Sequence, residues 1–212
     1  MSMTPHEILE ATTNSLDKKK IRLVSKPKIE EVDTVGKLCK YLGLAAGDWD
    51  GILVTDGSAT TYEHTAGWAG VLIESKSLQR RVFHGGYSAG TNNVAELMAV
   101  VQPLLALSAE SAFNKPGGYK LHIVSDSTYV ATGLNDDSFY LKASPGLRGM
   151  WYTVQGCRRM GIICKGHHIP RDSINLNKLA HAVANISRKS QQNLLEPIYE
   201  AIGFDSSSGF PD

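Results

Sequence analysis

The chain has few cysteines, almost no net charge and no long apolar run. Cys39, Cys157 and Cys164 are odd in number and scattered, which excludes a disulfide framework and any zinc-type spacing. A reducing, cytoplasmic setting is therefore expected, meaning the host cytoplasm if the source is a virus or phage. No stretch approaches the ~20 apolar residues of a membrane span and no leader pattern is read, so no membrane partner is expected. A formal net charge of +1 excludes the broad basic field that announces many nucleic-acid partners. Local basic groups remain at Lys18 to Lys20 and at Arg148, Arg158, Arg159 and Lys165, each most simply a solvated face. Internal repeats are absent, and the oligomeric state leaves no mark on the sequence. What is present is ordinary globular composition, 212 residues with 42% hydrophobic and 20% charged, enough for one well-buried core.

Residues 1–50 read as a helical extension of unknown role. Within it Val32, Val35, Leu38, Cys39 and Leu42 fall near helical spacing, and Asp33 or Thr34 is a candidate cap. This piece is either a small helical module or an arm packed on the main domain, and it offers a place for a protein partner. From Gly51 the texture changes to short apolar runs bounded by turn residues. GILVTD, GWAGVLIES and RRVFHGGYS follow one another as strands of an antiparallel meander. NNVAELMAVVQPLLALSAES has helical spacing, with Pro103 expected to kink it or to mark its irregular middle. YKLHIVSD is a strand, STYVATGL a short helix, SPGLRGMWYTVQGCRRMG a helix and GIICKG a last strand. INLNKLAHAVANISRKSQQNLLEPIYEAI reads as one long helical pattern broken before Pro197. The domain is placed at 51–202 and a loose Ser-, Gly- and Pro-rich tail at 203–212. After the meander, alternation of helix and strand calls for parallel strands with crossover helices. The expected fold is α/β, a mixed five-stranded sheet with helices on both faces.

Two strands end in aspartate, VTD at Asp56 and VSD at Asp126, and the helix between them carries Glu96 among apolar neighbours. Each has an innocent reading alone: Asp before Gly-Ser starts turns, and Asp before Ser-Thr caps helices. If the first and fourth strands are neighbours, both aspartates emerge at one edge and the helix can present Glu96 to the same point. Three clustered carboxylates raise one another's pKa unless a cation neutralises them. Oxygen donors suit hard divalent ions, and Mg²⁺ keeps waters and open positions for a phosphate substrate.

TDGSATTYEHTAGWAGVLI, GYSAGTNNVAELMAV, IVSDSTYV and KGHHIPRDSINLNKLAHAVA resemble, in order, the motifs of type 1 ribonuclease H. The resemblance covers roughly residues 51–190. It implies that Asp56, Glu96 and Asp126 bind two Mg²⁺ ions, with Mn²⁺ as substitute, and cleave the RNA strand of RNA–DNA hybrids to leave a 5′-phosphate. It further implies substrate contacts at Gly57 and Ser58, at Thr91, Asn92 and Asn93, and at Ser127 and Thr128. Thr91 and Asn92 can also cap the helix that carries Glu96. Trp151 matches a family Trp with a core or a substrate role. His167 matches the family's mobile-loop histidine, expected to transfer a proton near the leaving group or to help release the product metal, with His168 as its neighbour. Where the family has a fourth metal-site Asp, this chain has Asn177, whose amide oxygen can ligate without bringing charge. Asp172 is a substitute if its loop folds inward.

Two further departures are visible. The segment NDDSFYLKASPGLRGMW is short and not basic where some members carry a gripping protrusion, and TTYEHT, with Glu63 and His64, replaces the usual glycine- and asparagine-rich turn. Two alternatives to the hydrolase stay open: a nucleic-acid-binding or scaffold domain with weakened catalysis, and a structure-selective DNA nuclease on the same fold.

Overall fold

The computed structural model describes residues 29–200 apart from 46, 61–64, 89, 111–115, 172 and 191–192. Lys18 to Lys20, Glu63, His64, Asp172 and the tail 203–212 thus lie outside the described residues. The elements run α1 (Ile29–Leu42), β1 (Gly51–Ala59), β2 (Thr65–Glu74), β3 (Arg80–Ser88), α2 (Asn92–Ala109), β4 (Tyr119–Ser125), α3 (Thr128–Asn135), α4 (Phe139–Lys142), α5 (Pro145–Arg159), β5 (Ile162–His168), α6 (Asn175–Ser190) and β6 (Asn193–Glu200). The sheet order is β5-β4-β1-β2-β3-β6. The first three strands form the expected antiparallel meander, and β1, β4 and β5 are parallel neighbours. The expected mixed five-stranded sheet is present, with a sixth strand added at the β3 edge.

Ile52, Leu53 and Val54 are all buried because helices cover both faces of the sheet. On one face α2 and α5 pack Leu97, Val100, Leu104 and Trp151 against Leu53, Leu72, Leu121 and Ile123. On the other, Leu38 of α1 and Leu176 and Ala180 of α6 join Ile52, Val54, Val71 and Val124. Helix α1 therefore packs on this face through Val35, Leu38 and Cys39. Among the described residues no helix is long and apolar enough to cross a membrane.

Two glycines set how closely the helices approach. A Cβ on Gly57 of β1 would overlap the amide nitrogen of Glu96, so α2 lies main chain against main chain on the strand. A Cβ on Gly67 of β2 would overlap the Ala184 carbonyl and the Arg188 nitrogen, and α6 is seated as tightly on the opposite face. Pro103 does not end α2, which runs on to Ala109. Proline cannot return a hydrogen bond to the carbonyl four residues before it, here that of Ala99. That carbonyl would stand 3.1 Å from a Cβ on Gly70, so β2 approaches closely where the helix ladder is interrupted.

Three local expectations are corrected. Strand β1 does not stop at Asp56 but stays paired with β2 to Ala59, because the antiparallel partner continues after the parallel one has left. The last helix ends at Ser190, and the backbone after it forms β6 on the free edge of β3. Its register shifts between Leu194 and Ile198, where Pro197 needs no ladder hydrogen bond. The last core strand extends through His168, so both histidines of KGHH lie in β5 rather than in a loop.

Candidate active site

Strands β1 and β4 pair in parallel from Gly51 and Leu121 to Thr55 and Ser125, and the next residue on each is an aspartate. The Thr55 hydroxyl donates to the Val124 carbonyl at 3.4 Å just below this point. Beyond it the strands part, as at other sites built on the carboxyl ends of parallel strands. The capping roles open to Asp126 are taken by its neighbours. The Ser127 amide donates to Ser125 Oγ at 3.1 Å, and Ser127 Oγ accepts from the Val130 amide to cap α3. The Asp126 carboxylate is thereby left to face Asp56. Because α2 sits directly on Gly57, Glu96 arrives at the same place from the opposite face of the sheet. Carboxylate oxygens of Asp56, Glu96 and Asp126 lie within 4.8 Å of one another.

Asp56 and Glu96 are almost fully buried, at 1% and 5% exposure. Burial, and then the Asp126 charge, push Asp56 up to about 6, while His181 opposes the shift. Burial, and then Asp56 and Asp126, push Glu96 up to about 9, against a hydrogen bond from the Gly57 backbone. Three oxygens this close cannot all stay ionised without a cation or protons between them. Glu96 Oε2 is buried and has no hydrogen-bond partner among the described residues. An orphaned carboxylate oxygen inside an all-oxygen donor set fits a hard divalent cation.

Asn177 lies in the first turn of α6 and is buried at 1% exposure. One turn further along, His181 Nδ1 lies 2.6 Å from Asp56 Oδ2. Asn185 Nδ2 lies 3.0 Å from His181 Nε2, and Ser58 Oγ donates to Asn185 Oδ1 at 2.7 Å. Arg171, exposed at the rim, places Nε 3.8 Å from Asp126 Oδ2. Its terminal nitrogen is 3.2 Å from His181 Nδ1. Both of those nitrogens are donors once Nδ1–H is given to Asp56, so the flanking carboxylates hold Arg171 there. His181, Asn185 and Arg171 escaped the sequence reading. The available signal was a His and an Asn four residues apart, beside the small residues Ala180 and Ala184.

His167 does not join the carboxylates through any hydrogen bond found among the described residues. Its Nε2 lies 2.8 Å from His122 Nδ1, and the two rings stack at 5.0 Å. Burial, His122 and Lys165 lower His167 to about 4. His168 is exposed, with Nε2 3.2 Å from the Asp126 carbonyl. Asn135 fixes this strand by donating to the Gly166 carbonyl at 2.8 Å and accepting from the Gly166 amide at 3.1 Å. Thr91 caps α2, Asn92 Nδ2 lies 3.5 Å from Glu96 Oε1, and Thr91, Asn92 and Asn93 are all exposed. Thr128 is exposed at the start of α3. Trp151 is a core residue, donating through Nε1 to Tyr129 Oη at 2.9 Å.

The RNase H family model matches residues 50–147. Ribonuclease H of Pseudomonas putida strain W619 is 36% identical over 84 residues, 40% of this chain and 50% of that protein. Ribonuclease H of Phenylobacterium zucineum is 34% identical over 85 residues, 40% of this chain and 49% of that protein. The chain thus spans about half the length of these relatives. Among solved structures, the N-terminal RNase H domain of a Mycobacterium tuberculosis protein superposes with a TM-score of 0.52 at 17% identity, over 66% of this chain and 94% of that one. A ribonuclease H1 in complex with an RNA/DNA hybrid gives 0.55 at 21%, over 66% and 97%. A type 1 ribonuclease H described as having the type 2 active-site motif gives 0.57 at 13%, over 72% and 78%. The likeness to ribonuclease H read in the motifs therefore stands in sequence over residues 50–147, and the fold is shared over 66–72% of the chain.

Proposed function

We propose that the chain is a metal-dependent ribonuclease H that hydrolyses the RNA strand of RNA–DNA hybrids by a two-metal-ion mechanism and leaves a 5′-phosphate. The observation that carries this reading is the convergence of Asp56, Glu96 and Asp126 within 4.8 Å at the parting of two parallel strands. Three carboxylates that repel one another have no structural use at such a point, whereas a pair of Mg²⁺ ions gives them one. Asp56, the most deeply buried of the three, would hold the ions together with Glu96 and Asp126. Asn177 would add a neutral ligand or an outer contact. When bound, the ions supply an activated water and stabilise the leaving oxygen, with Mn²⁺ as a substitute.

The remaining roles belong to the protein's own groups. Gly57 and Ser58, Thr91 to Asn93, and Ser127 and Thr128 line the approach for the hybrid. Short amides suit a 2′-hydroxyl that both donates and accepts. Arg171 at the rim offers charge to an incoming phosphate. His167 is assigned proton transfer near the leaving group or help in releasing the product metal. Asn177 favours a second reading, a hybrid-binding domain with weakened catalysis, because the site carries one charge fewer than four aspartate or glutamate ligands would give it. Cleavage of a labelled hybrid in Mg²⁺ and in Mn²⁺ separates the two, run beside single-stranded RNA, duplex DNA and an Asp56→Asn control. Scission of the hybrid's RNA strand alone, lost in the control, supports the hydrolase. A folded protein that binds the hybrid and cuts nothing in either metal rejects it in favour of binding.

A further inference from the structure

We propose that His181 and Asn185 are positioning residues. With Ser58 they form a hydrogen-bonded brace that holds the Asp56 carboxylate ready for a cation, a task Asn177 cannot share through charge. The inference rests on the reading of the carboxylates as a cation site. The brace begins and ends on one strand: Asp56 and Ser58 are two residues apart on β1, so their side chains leave the same face. Helix α6 spans them because His181 and Asn185 are four residues apart and share a helix face. The tight seating of α6 on Gly67 brings these two side chains within reach of the strand.

The donors and acceptors form a complete series. Ser58 Oγ–H donates to Asn185 Oδ1 at 2.7 Å, Asn185 Nδ2–H donates to His181 Nε2 at 3.0 Å, and His181 Nδ1–H donates to Asp56 Oδ2 at 2.6 Å. With Nε2 accepting, the proton of the neutral imidazole must sit on Nδ1, facing the carboxylate. A carboxylate oxygen that accepts one hydrogen bond keeps a lone pair for a cation, so the brace fixes the Asp56 plane without consuming it. Partners that orient ligands in this way commonly govern metal affinity by about 10–100-fold.

The test is Mn²⁺ binding to the full chain without nucleic acid, by calorimetry, beside hybrid cleavage as a function of Mg²⁺. It uses the wild type, Asp56→Asn, His181→Ala, His181→Asn and Asn185→Ala, with thermal melts to confirm folding. His181→Ala should weaken Mn²⁺ binding and raise the half-saturating Mg²⁺ about tenfold, with turnover at saturating Mg²⁺ within about threefold of wild type. Asn185→Ala should move the same quantities about threefold. His181→Asn, whose amide N–H falls near the position of Nδ1–H, should recover most of the lost affinity. A general packing defect would not be repaired by that smaller side chain. Unchanged Mn²⁺ affinity in folded His181→Ala overturns the proposal, as does failure of His181→Asn to recover it. A wild type that binds no Mn²⁺ overturns both the brace and the cation site. A wild type that binds Mn²⁺ but cuts no hybrid overturns the hydrolase reading alone.

Discussion

Two imidazoles stand on the same face of the sheet near its carboxyl edge, and their neighbours give them opposite characters. Burial, and then His122, on which it stacks, and Lys165, lower His167 to about 4, a neutral ring at any physiological pH. His181 meets a carboxylate, and its Nδ1–H is committed to Asp56. The family motif draws attention to the first, while the second is an unremarked residue on an amphipathic helix. A histidine's role at such an edge follows from what its second nitrogen touches, rather than from its distance to the chemistry in sequence.

The sharpest way to break this contrast is to remove the carboxylate. Asp56→Asn should take hybrid cleavage below detection with the fold intact, and Asp126→Asn should do the same. Adding His181→Ala to Asp56→Asn should then change Mn²⁺ binding no further, since the brace has lost its object; an additive loss would give His181 a separate role. Next, His167→Ala should lower turnover about 100-fold, the lower range for a proton-transfer group, with the Mg²⁺ requirement unmoved. A shifted Mg²⁺ requirement would erase the distinction between the two rings. A smaller effect is expected of Asn177→Asp, which restores a charge and should lower the half-saturating Mg²⁺ about tenfold or less. A flat response would put position 177 outside the cation's reach.

The smallest effect is on stability. Glu96 is raised from its ordinary 4.5 to about 9, so the folded state holds a proton that the unfolded chain releases. Its stabilising contribution is complete below its ordinary value and is lost as pH rises through about 9. Asp56 behaves likewise between 3.8 and about 6. The metal-free melting temperature should therefore fall by several degrees between about pH 5 and about pH 9. Added Mn²⁺ should oppose the fall, and Glu96→Gln should flatten most of it. A melting temperature that rises over that range would contradict the assigned protonation.

The sheet was legible because each strand of the meander is a short apolar run between glycines and turn residues, and the parallel pair announced itself through VTD and VSD. The carboxylate trio followed once β1 and β4 were taken as neighbours. His181 and Asn185 were hidden for a physical reason. Periodicity marks which side of α6 is buried, but how closely the helix sits depends on the absent side chain of Gly67. That contact joins β2 to Ala184 of α6, whose carbonyl a Cβ on Gly67 would meet, and no short stretch of sequence contains both partners. The strand β6 was hidden differently. NLLEPIYE carries apolar residues at spacings compatible with a helix, and only the free edge of β3 selects the extended form. The two histidines of KGHH looked like loop residues beside a glycine. That glycine is instead a close-approach point, where a Cβ would stand 2.8 Å from the Ala131 carbonyl.

The hydrogen bonds between Asn135 and Gly166 have a consequence for how the molecule meets its own copies. Among the described residues strand β5 is an outer strand of the sheet, with β4 on one side only. Outer strands expose main-chain donors and acceptors that can recruit a foreign strand. The Asn135 amide offers Gly166 one donor and one acceptor, as a neighbouring peptide group would, and so occupies that rung from a helix. A strand arriving from another molecule would have to evict it first, and the edge nearest the carboxylates is thereby guarded against edge-to-edge aggregation.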